Sequence, residues 1–257
     1  MNLEFVKYEK SGRIAKITLN RPEVMNALHE PCHGEMEQIW NDFIADDGLW
    51  VAILTGAGDK AFSAGNDLKA TATQGVPKLP TTGFAAITSR YDLAKPVIAA
   101  VNGFALGGGF EIALSCDIII AAEHARFGLP EPKVGLMAAA GGVHRLPRHI
   151  PLKIAMGYML TGRHMTAAEA HRWGVVNEVV PAAQLMPTAE RWANEIAECS
   201  PLSVRTTKRV TMENLHRSVA EAMQHAASVE RELFRSEDAK EGPMAFAQKR
   251  KPNWKGR

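Results

Sequence analysis

From Val97 to Ala122 the chain is apolar almost without interruption, yet the stretch holds Asn102, Glu111, Asp117 and four glycines, three of them consecutive at Gly107-Gly108-Gly109. It is long enough to cross a bilayer. An interior glutamate, an aspartate and a glycine triplet instead favour a buried strand at Val97–Val101, a glycine-led turn into a helix at Phe110–Ser115, and a second buried strand at Ile118–Ala121. No membrane span is expected. Three adjacent glycines carry a large conformational entropy in the unfolded chain, so a steric demand in the folded one is implied. They precede a helix N-terminus, where backbone N–H groups point outward with partial positive charge and suit an anionic oxygen.

The flanking pattern is α/β. Leu3–Tyr8 and Arg13–Leu19 alternate around Lys10-Ser11-Gly12 and predict a hairpin. Met36, Ile39, Trp40 and Phe43 give Leu28–Ile44 a helical period, and Trp50–Leu54 has the form of a buried strand. Thr71–Gly83, rich in Thr, Gly and Pro, predicts a mobile loop. Strands alternating with helices imply crossover connections and an α/β core. After Val180 the period is helical, punctuated by Pro201 and by a break at Glu241-Gly242-Pro243. The expected division is a core over 1–195 and a helical lid or oligomerisation arm over 196–257. There is no internal sequence repeat.

With 257 residues and 46% hydrophobic content the chain can bury a large core. A net charge of +2 argues against nucleic acid as a partner of the whole surface. The terminal Lys249, Arg250, Lys251, Lys255 and Arg257 are either a solvated tail or a clamp for a phosphate-bearing ligand. Cys32, Cys116 and Cys199 form no CxxC pair, which fits a reducing cytoplasm, and no signal pattern opens the chain. No HExxH or other metal-ligand spacing occurs, so no metal is expected.

Other motifs carry less. Gly56-Ala57-Gly58-Asp59-Lys60-Ala61 matches GxGxxA but runs into Phe62-Ser63-Ala64-Gly65 rather than a helix, against a dinucleotide site. No GxxxxGK[ST] occurs, and Ser63 lacks the GxSxG elbow. His144 and His149 read as structural or surface residues. Glu111 falls in the first turn of the predicted helix between Phe110 and Ile112. Glu131 ends Phe127-Gly128-Leu129-Pro130-Glu131 and by itself reads as a loop carboxylate. Carboxyls in apolar surroundings suit proton transfer near neutral pH. No spacing rule brings the two together.

Several segments in order resemble the crotonase (enoyl-CoA hydratase/isomerase) superfamily over essentially the whole chain. They are Asn20-Arg21-Pro22 with Asn26-Ala27-Leu28; Phe62 to Lys69; Lys95 to Gly103; Gly107 to Glu111; Phe127 to Glu131; Gly141 to Pro147; and the Ala245 to Arg250 ending. The resemblance implies a spiral of βαβ-type units with a helical C-terminal trimerisation region, and a homotrimer or dimer of trimers. It implies an acyl-CoA thioester as substrate, with CoA part of that substrate and no separate cofactor. By motif position the thioester oxygen would meet the N–H groups of Asn66 and Gly108. Ala64, Gly65, Asn66, Asp67, Leu68 and Lys69, with Met25 and Ala27, would line the CoA and acyl path. Phe246 and Lys249 would reach the CoA, often from a neighbouring subunit. Glu111 and Glu131 match the two catalytic carboxylates of the hydratases; Glu111 is assigned mainly to water activation and Glu131 mainly to proton donation, as a pair that can share protons.

Two positions depart from the usual hydratase pattern. Asn66 replaces a small apolar residue, and Ala139 takes the place of a glycine near the water site. The segments Phe62–Ala70 and Gly141–Pro147 and the Ser236–Arg257 ending also resemble the carnitinyl-CoA dehydratase (crotonobetainyl-CoA hydratase) branch. Enoyl-CoA isomerisation needs one carboxylate only. A non-catalytic acyl-CoA or RNA-binding relative has no need of two.

Overall fold

The computed structural model describes residues 1–75 and 77–257. Its larger sheet begins with the hairpin, β1 (Val6–Ser11) and β2 (Ile14–Leu19), paired antiparallel with the turn at Gly12 and Arg13. The first strand therefore runs three residues later than its alternation predicts. Helix α1 (Glu30–Ala45) buries Met36, Ile39, Trp40 and Phe43 as its period requires. Strand β3 (Val51–Gly56) follows, buried at every residue, and then β4 (Ala61–Ser63) and α2 (Leu68–Gln74).

Next come β5 (Val97–Val101), β6 (Phe104–Leu106), α3 (Gly108–Ser115), β7 (Ile118–Ala122) and β8 (Arg126–Gly128). The chain continues through α4 (Gly142–His149), α5 (Leu152–Thr161), β9 (Met165–Thr166), α6 (Ala167–Arg172), β10 (Glu178–Val180) and α7 (Leu185–Ala197). Three helices close it: α8 (Pro201–Asn214), α9 (Val219–Arg235) and α10 (Glu237–Ala247).

The strands form two sheets, ordered β1-β2-β3-β5-β7-β10 and β4-β6-β8-β9. Apart from the β1–β2 and β8–β9 pairs, all neighbours are parallel. Three times the chain lays one strand in the large sheet, turns a corner and lays one in the small sheet: β3–β4, β5–β6 and β7–β8. The repeating unit of the spiral is thus two strands and a following helical or loop segment. At one corner Gly103 stacks so closely on Lys60 that a β-carbon there would strike the Lys60 carbonyl.

A core of β-strand aliphatics, Trp40, Phe43, Phe62, Phe110 and Phe127 fills the space between the sheets and α1 and α3. A second cluster packs α7, through Leu185, Ala189 and Ala193, on the other face of the large sheet.

Two expectations are corrected. Thr71–Gln74 finish α2 instead of starting a loop, because Asp67 caps that helix by accepting from the Ala70 N–H. The remainder of the predicted loop includes Val76, which lies outside the described residues. Glu241-Gly242-Pro243 does not break the chain, since α10 runs through it with Pro243 inside. The Asp238 carboxylate, buried under the C-terminal residues, receives the N–H groups of Lys255 and Gly256, and so fastens α10 from its first turn.

Candidate active site

The small sheet explains how distant motifs meet. Strands β4, β6 and β8 lie side by side and parallel, with Ser63 opposite Ala105 and Leu106 opposite Gly128. The segments that leave their carboxyl ends are Ala64–Lys69, Gly107–Glu111 and Leu129–Glu131. The Gly107 N–H continues the ladder by donating to Gly128 O at 2.9 Å. Twenty residues of sequence between the two glutamates are therefore one turn of the spiral, which returns the chain to the adjacent strand end.

Each glycine of the triplet has its own steric reason. Gly107 caps α3 at φ 53°, and a β-carbon on it would lie 3.0 Å from Oε1 of Glu131. On Gly108 it would lie 2.5 Å from the Phe84 ring, and on Gly109 it would strike Ser63 O. Gly65, at φ +87°, backs onto the same point, since its β-carbon would lie 2.7 Å from the Gly108 nitrogen. The Asn66 and Gly108 segments are thus in contact through backbone.

Their N–H groups are both available. Leu28 pairs with Asn66 in a parallel bridge in which Leu28 N donates to Gly65 O and Asp67 N to Leu28 O. The Asn66 N–H itself points away from that bridge. Gly108 is the first residue of α3 and has no intrahelical acceptor. Neither N–H has a hydrogen-bond acceptor among the described residues.

Glu111 is buried at 3% exposure, and its Oε1 accepts from the Gly142 N–H at 2.8 Å. Burial pushes its carboxyl up to about 7, and the charge of Glu131 pushes the same way; the Gly142 and Ala140 N–H groups and Arg145 oppose this. Burial also raises the Glu131 carboxyl, whose Oε2 is buried with no partner among the described residues. Two carboxyls raised by burial, one of them also by the charge of the other, beside two N–H groups can take one proton from a substrate and give it another.

The flanking residues are held tightly. Met25 and Asn26 adopt left-handed φ of 55° and 53°. Asn26 keeps this turn in place by accepting from Arg21 N and donating to Ala57 O and Ala61 O. Met25 O accepts from Ala64 N, and Ser63 Oγ links Asn26 O to Gly65 N. Arg21 donates to Ala27 O and to the Asp67 carboxylate, which joins the segment around Met25 and Ala27 to the α2 N-terminus. Leu68 and Lys69 are exposed on the first turn of α2. The Asn66 side chain donates to Thr71 Oγ1 at 2.8 Å, while its Oδ1 is buried with no partner among the described residues.

Ala139 is exposed, one residue before the Ala140 N–H that Glu111 meets. Phe246 is exposed on α10, which packs on α9, and Lys249 follows that helix at φ 52°. Among the described residues no side-chain hydrogen bond or ion pair joins either to Asn66–Lys69.

Phe84, Gly142 and Arg145 are parts of the site that sequence reasoning passed over. Gly142 and Arg145 lie inside the Gly141–Pro147 motif, whose glycine pair was the available signal. Phe84 had none. No group of three His, Cys, Asp or Glu side chains suited to a metal occurs among the described residues. None of the described helices is long and apolar enough to cross a membrane.

The family model described as enoyl-CoA hydratase/isomerase matches residues 9–257. The chain belongs to the enoyl-CoA hydratase/isomerase family. It is 46% identical to a carnitinyl-CoA dehydratase of Salmonella arizonae, over 98% of this chain and 99% of that one. The solved enoyl-CoA hydratase of Mycobacterium tuberculosis superposes with a TM-score of 0.94 at 40% identity, over 98% and 99% of the two chains. An enoyl-CoA hydratase of Mycobacterium marinum gives 0.94 at 41%, again over 98% and 99%. The crotonase fold and an acyl-CoA-type substrate follow from membership of this enoyl-CoA hydratase/isomerase family.

Proposed function

We propose that the protein is a hydro-lyase that adds water across the 2,3 double bond of an enoyl-CoA thioester. The observation that carries this reading is the carboxyl pair. Glu111 is oriented by the Gly142 N–H and shifted to about 7; Glu131 has Oε1 beside Gly107 and Oε2 buried with no partner among the described residues. Both sit next to the free Asn66 and Gly108 N–H groups.

Ionised Glu111 removes a proton from water as the water oxygen bonds C3. The double-bond electrons move onto the thioester oxygen, where the two N–H groups stabilise the enolate. C2 then takes the proton of Glu131, so that Glu111 ends protonated and Glu131 ionised, and exchange with solvent resets both. Each N–H is worth about 10²–10³-fold in rate. The sum balances with water alone, so the proposal calls for neither a metal nor a separate cofactor. An isomerase would need only one of the carboxyls.

A second reading concerns the acyl group. The 46% identity to carnitinyl-CoA dehydratase favours crotonobetainyl-CoA, whose hydration is that enzyme's reaction in reverse. Loss of enoyl-thioester absorbance with crotonyl-CoA, longer enoyl-CoAs and crotonobetainyl-CoA tests both. Hydration of crotonobetainyl-CoA alone selects the second reading. A folded protein inactive on the whole panel sinks both.

We further propose that Phe246 and Lys249 meet CoA on a neighbouring subunit, in a homotrimer or dimer of trimers. Supporting this, Met212, Leu215, Val219, Met223, Phe234 and Phe246 are large apolar side chains left exposed on α8–α10 and the α8–α9 turn of the single chain.

A further inference from the structure

We infer that Arg145 is a positioning residue for this reaction: its guanidinium fastens Thr88 to the Ala140–Gly141 turn that holds the Glu111 carboxyl, and supplies the positive charge facing that carboxyl. The inference rests on the hydration reading above.

Arg145 lies in the first turn of α4, three positions after the Gly142 whose N–H binds Glu111. Its Nη2 donates to Thr88 O at 2.8 Å and its Nη1 reaches Ala140 O at 3.5 Å. The guanidinium folds against Gly141 so closely that a β-carbon there would collide with Nη1, and Gly141 holds φ +110°. The Arg145 side chain therefore bears on Ala140 and Gly141, and Gly142 follows directly in the chain. Gly142 donates its N–H to Glu111, and the Ala140 N–H helps to lower the same carboxyl.

The same guanidinium has no carboxylate in an ion pair among the described residues. A mostly buried cation without a counter-charge is costly. The groups that feel or exert charge on Arg145 are Glu111, Tyr91, Cys116 and His149. Burial drives the Cys116 thiol far up, so it is neutral near pH 7, and it depresses His149, which is also neutral there. Tyr91 is an exposed phenol. Glu111 is the carboxyl of this set, and it ionises at about pH 7. Around Glu111, Glu131 pushes toward protonation, while Arg145 and the Gly142 and Ala140 N–H groups push toward ionisation. Burial of Arg145 also lowers its own pKa, but a guanidinium keeps its proton across the neutral range.

The test is the pH profile of kcat/KM with the enoyl-CoA that the parent hydrates. Ionised Glu111 is the base, so activity rises through its titration, and losing the cation moves that limb upward. R145Q is expected to shift the limb by about half a unit or more. R145K keeps the charge but not the fork onto Thr88 and Ala140, so its limb stays in place while kcat falls several-fold. A folded R145Q with lower kcat/KM and an unmoved limb overturns the proposal. If R145Q does not fold, R145K decides: a limb that moves upward overturns it. Infrared titration of the Glu111 carboxyl, assigned by its loss in E111Q, reads the same shift without turnover. A parent that hydrates nothing defeats the functional reading, and the infrared comparison still judges Arg145.

Discussion

Glu111 is buried as a potential charge, and that arrangement opposes folding. The folded chain holds its proton to about pH 7 against an ordinary value of 4.5. A raised carboxyl contributes its full stability below the unfolded value and loses it as pH rises through the folded one. The loss is complete above pH 7 and amounts to roughly 3 kcal/mol as an upper bound. Glu111→Gln removes this dependence. Its melting temperature relative to the parent is expected to be more favourable at pH 8 than at pH 5, as thermal unfolding at the two pH values would show. The same substitution should cut turnover by about 10²–10⁴. Higher stability with lower activity would identify the carboxyl as functional. A parallel fall in both would mark it as structural. Glu131→Gln should slow turnover comparably, and because the charge of Glu131 acts on Glu111, the parent's pH profile is expected to belong to both carboxyls jointly.

Among the elements, α3 and its triplet carry the tightest constraint. A methyl group on Gly109 would strike the carbonyl of Ser63, a residue whose hydroxyl also ties Asn26 to Gly65. Gly109→Ala should destabilise by about 1–3 kcal/mol and depress kcat, because overpacking here displaces the Asn66 segment. Denaturant unfolding together with steady-state rates checks this. Pro243 makes the opposite case. It lies within α10 with no N–H to give to the preceding turn. Pro243→Ala should stabilise by about 1 kcal/mol, less what the freer unfolded chain takes back. A loss of stability on chemical denaturation would show that the proline sets the helix's path. These two positions also show what sequence can reveal. The triplet, β5 and β7 were legible because long apolar runs and clustered glycines are strong local signals. Strands β4, β6 and β8 were not, because three residues carry no period. Yet those short strands bring Asn66, Gly108, Glu111 and Glu131 together. Gly142 was obscured for a related reason: a backbone N–H reaching Glu111 across 31 positions leaves no mark on side-chain identity. Pro243 misled because proline's helix-breaking tendency is a local preference. Here the burial of Asp238 against the C-terminal residues outweighs it.

The single chain as a whole leaves an apolar face uncovered. Val219, Met223 and Phe234 are 77%, 65% and 75% exposed and share one stripe of α9 at helical spacing. Phe246, on the neighbouring α10, is 86% exposed. In water a face of this size calls for a partner, and the proposed partner is another copy of the chain. Met223→Asp with Phe234→Asp places two charges on that stripe without touching the core around β5 and β7. The expected outcome by light scattering is a smaller assembly at a nearly unchanged secondary-structure signal. If Phe246 and Lys249 complete a neighbour's CoA site, KM for the thioester should rise at least ten-fold in the dissociated protein. Phe246→Ala in the intact assembly should raise KM in the same direction, leaving kcat near the parent's. Dissociation without any change in KM would confine these helices to assembly and place the CoA contacts within one chain. An assembly unchanged by both aspartates would mean that a different surface joins the subunits.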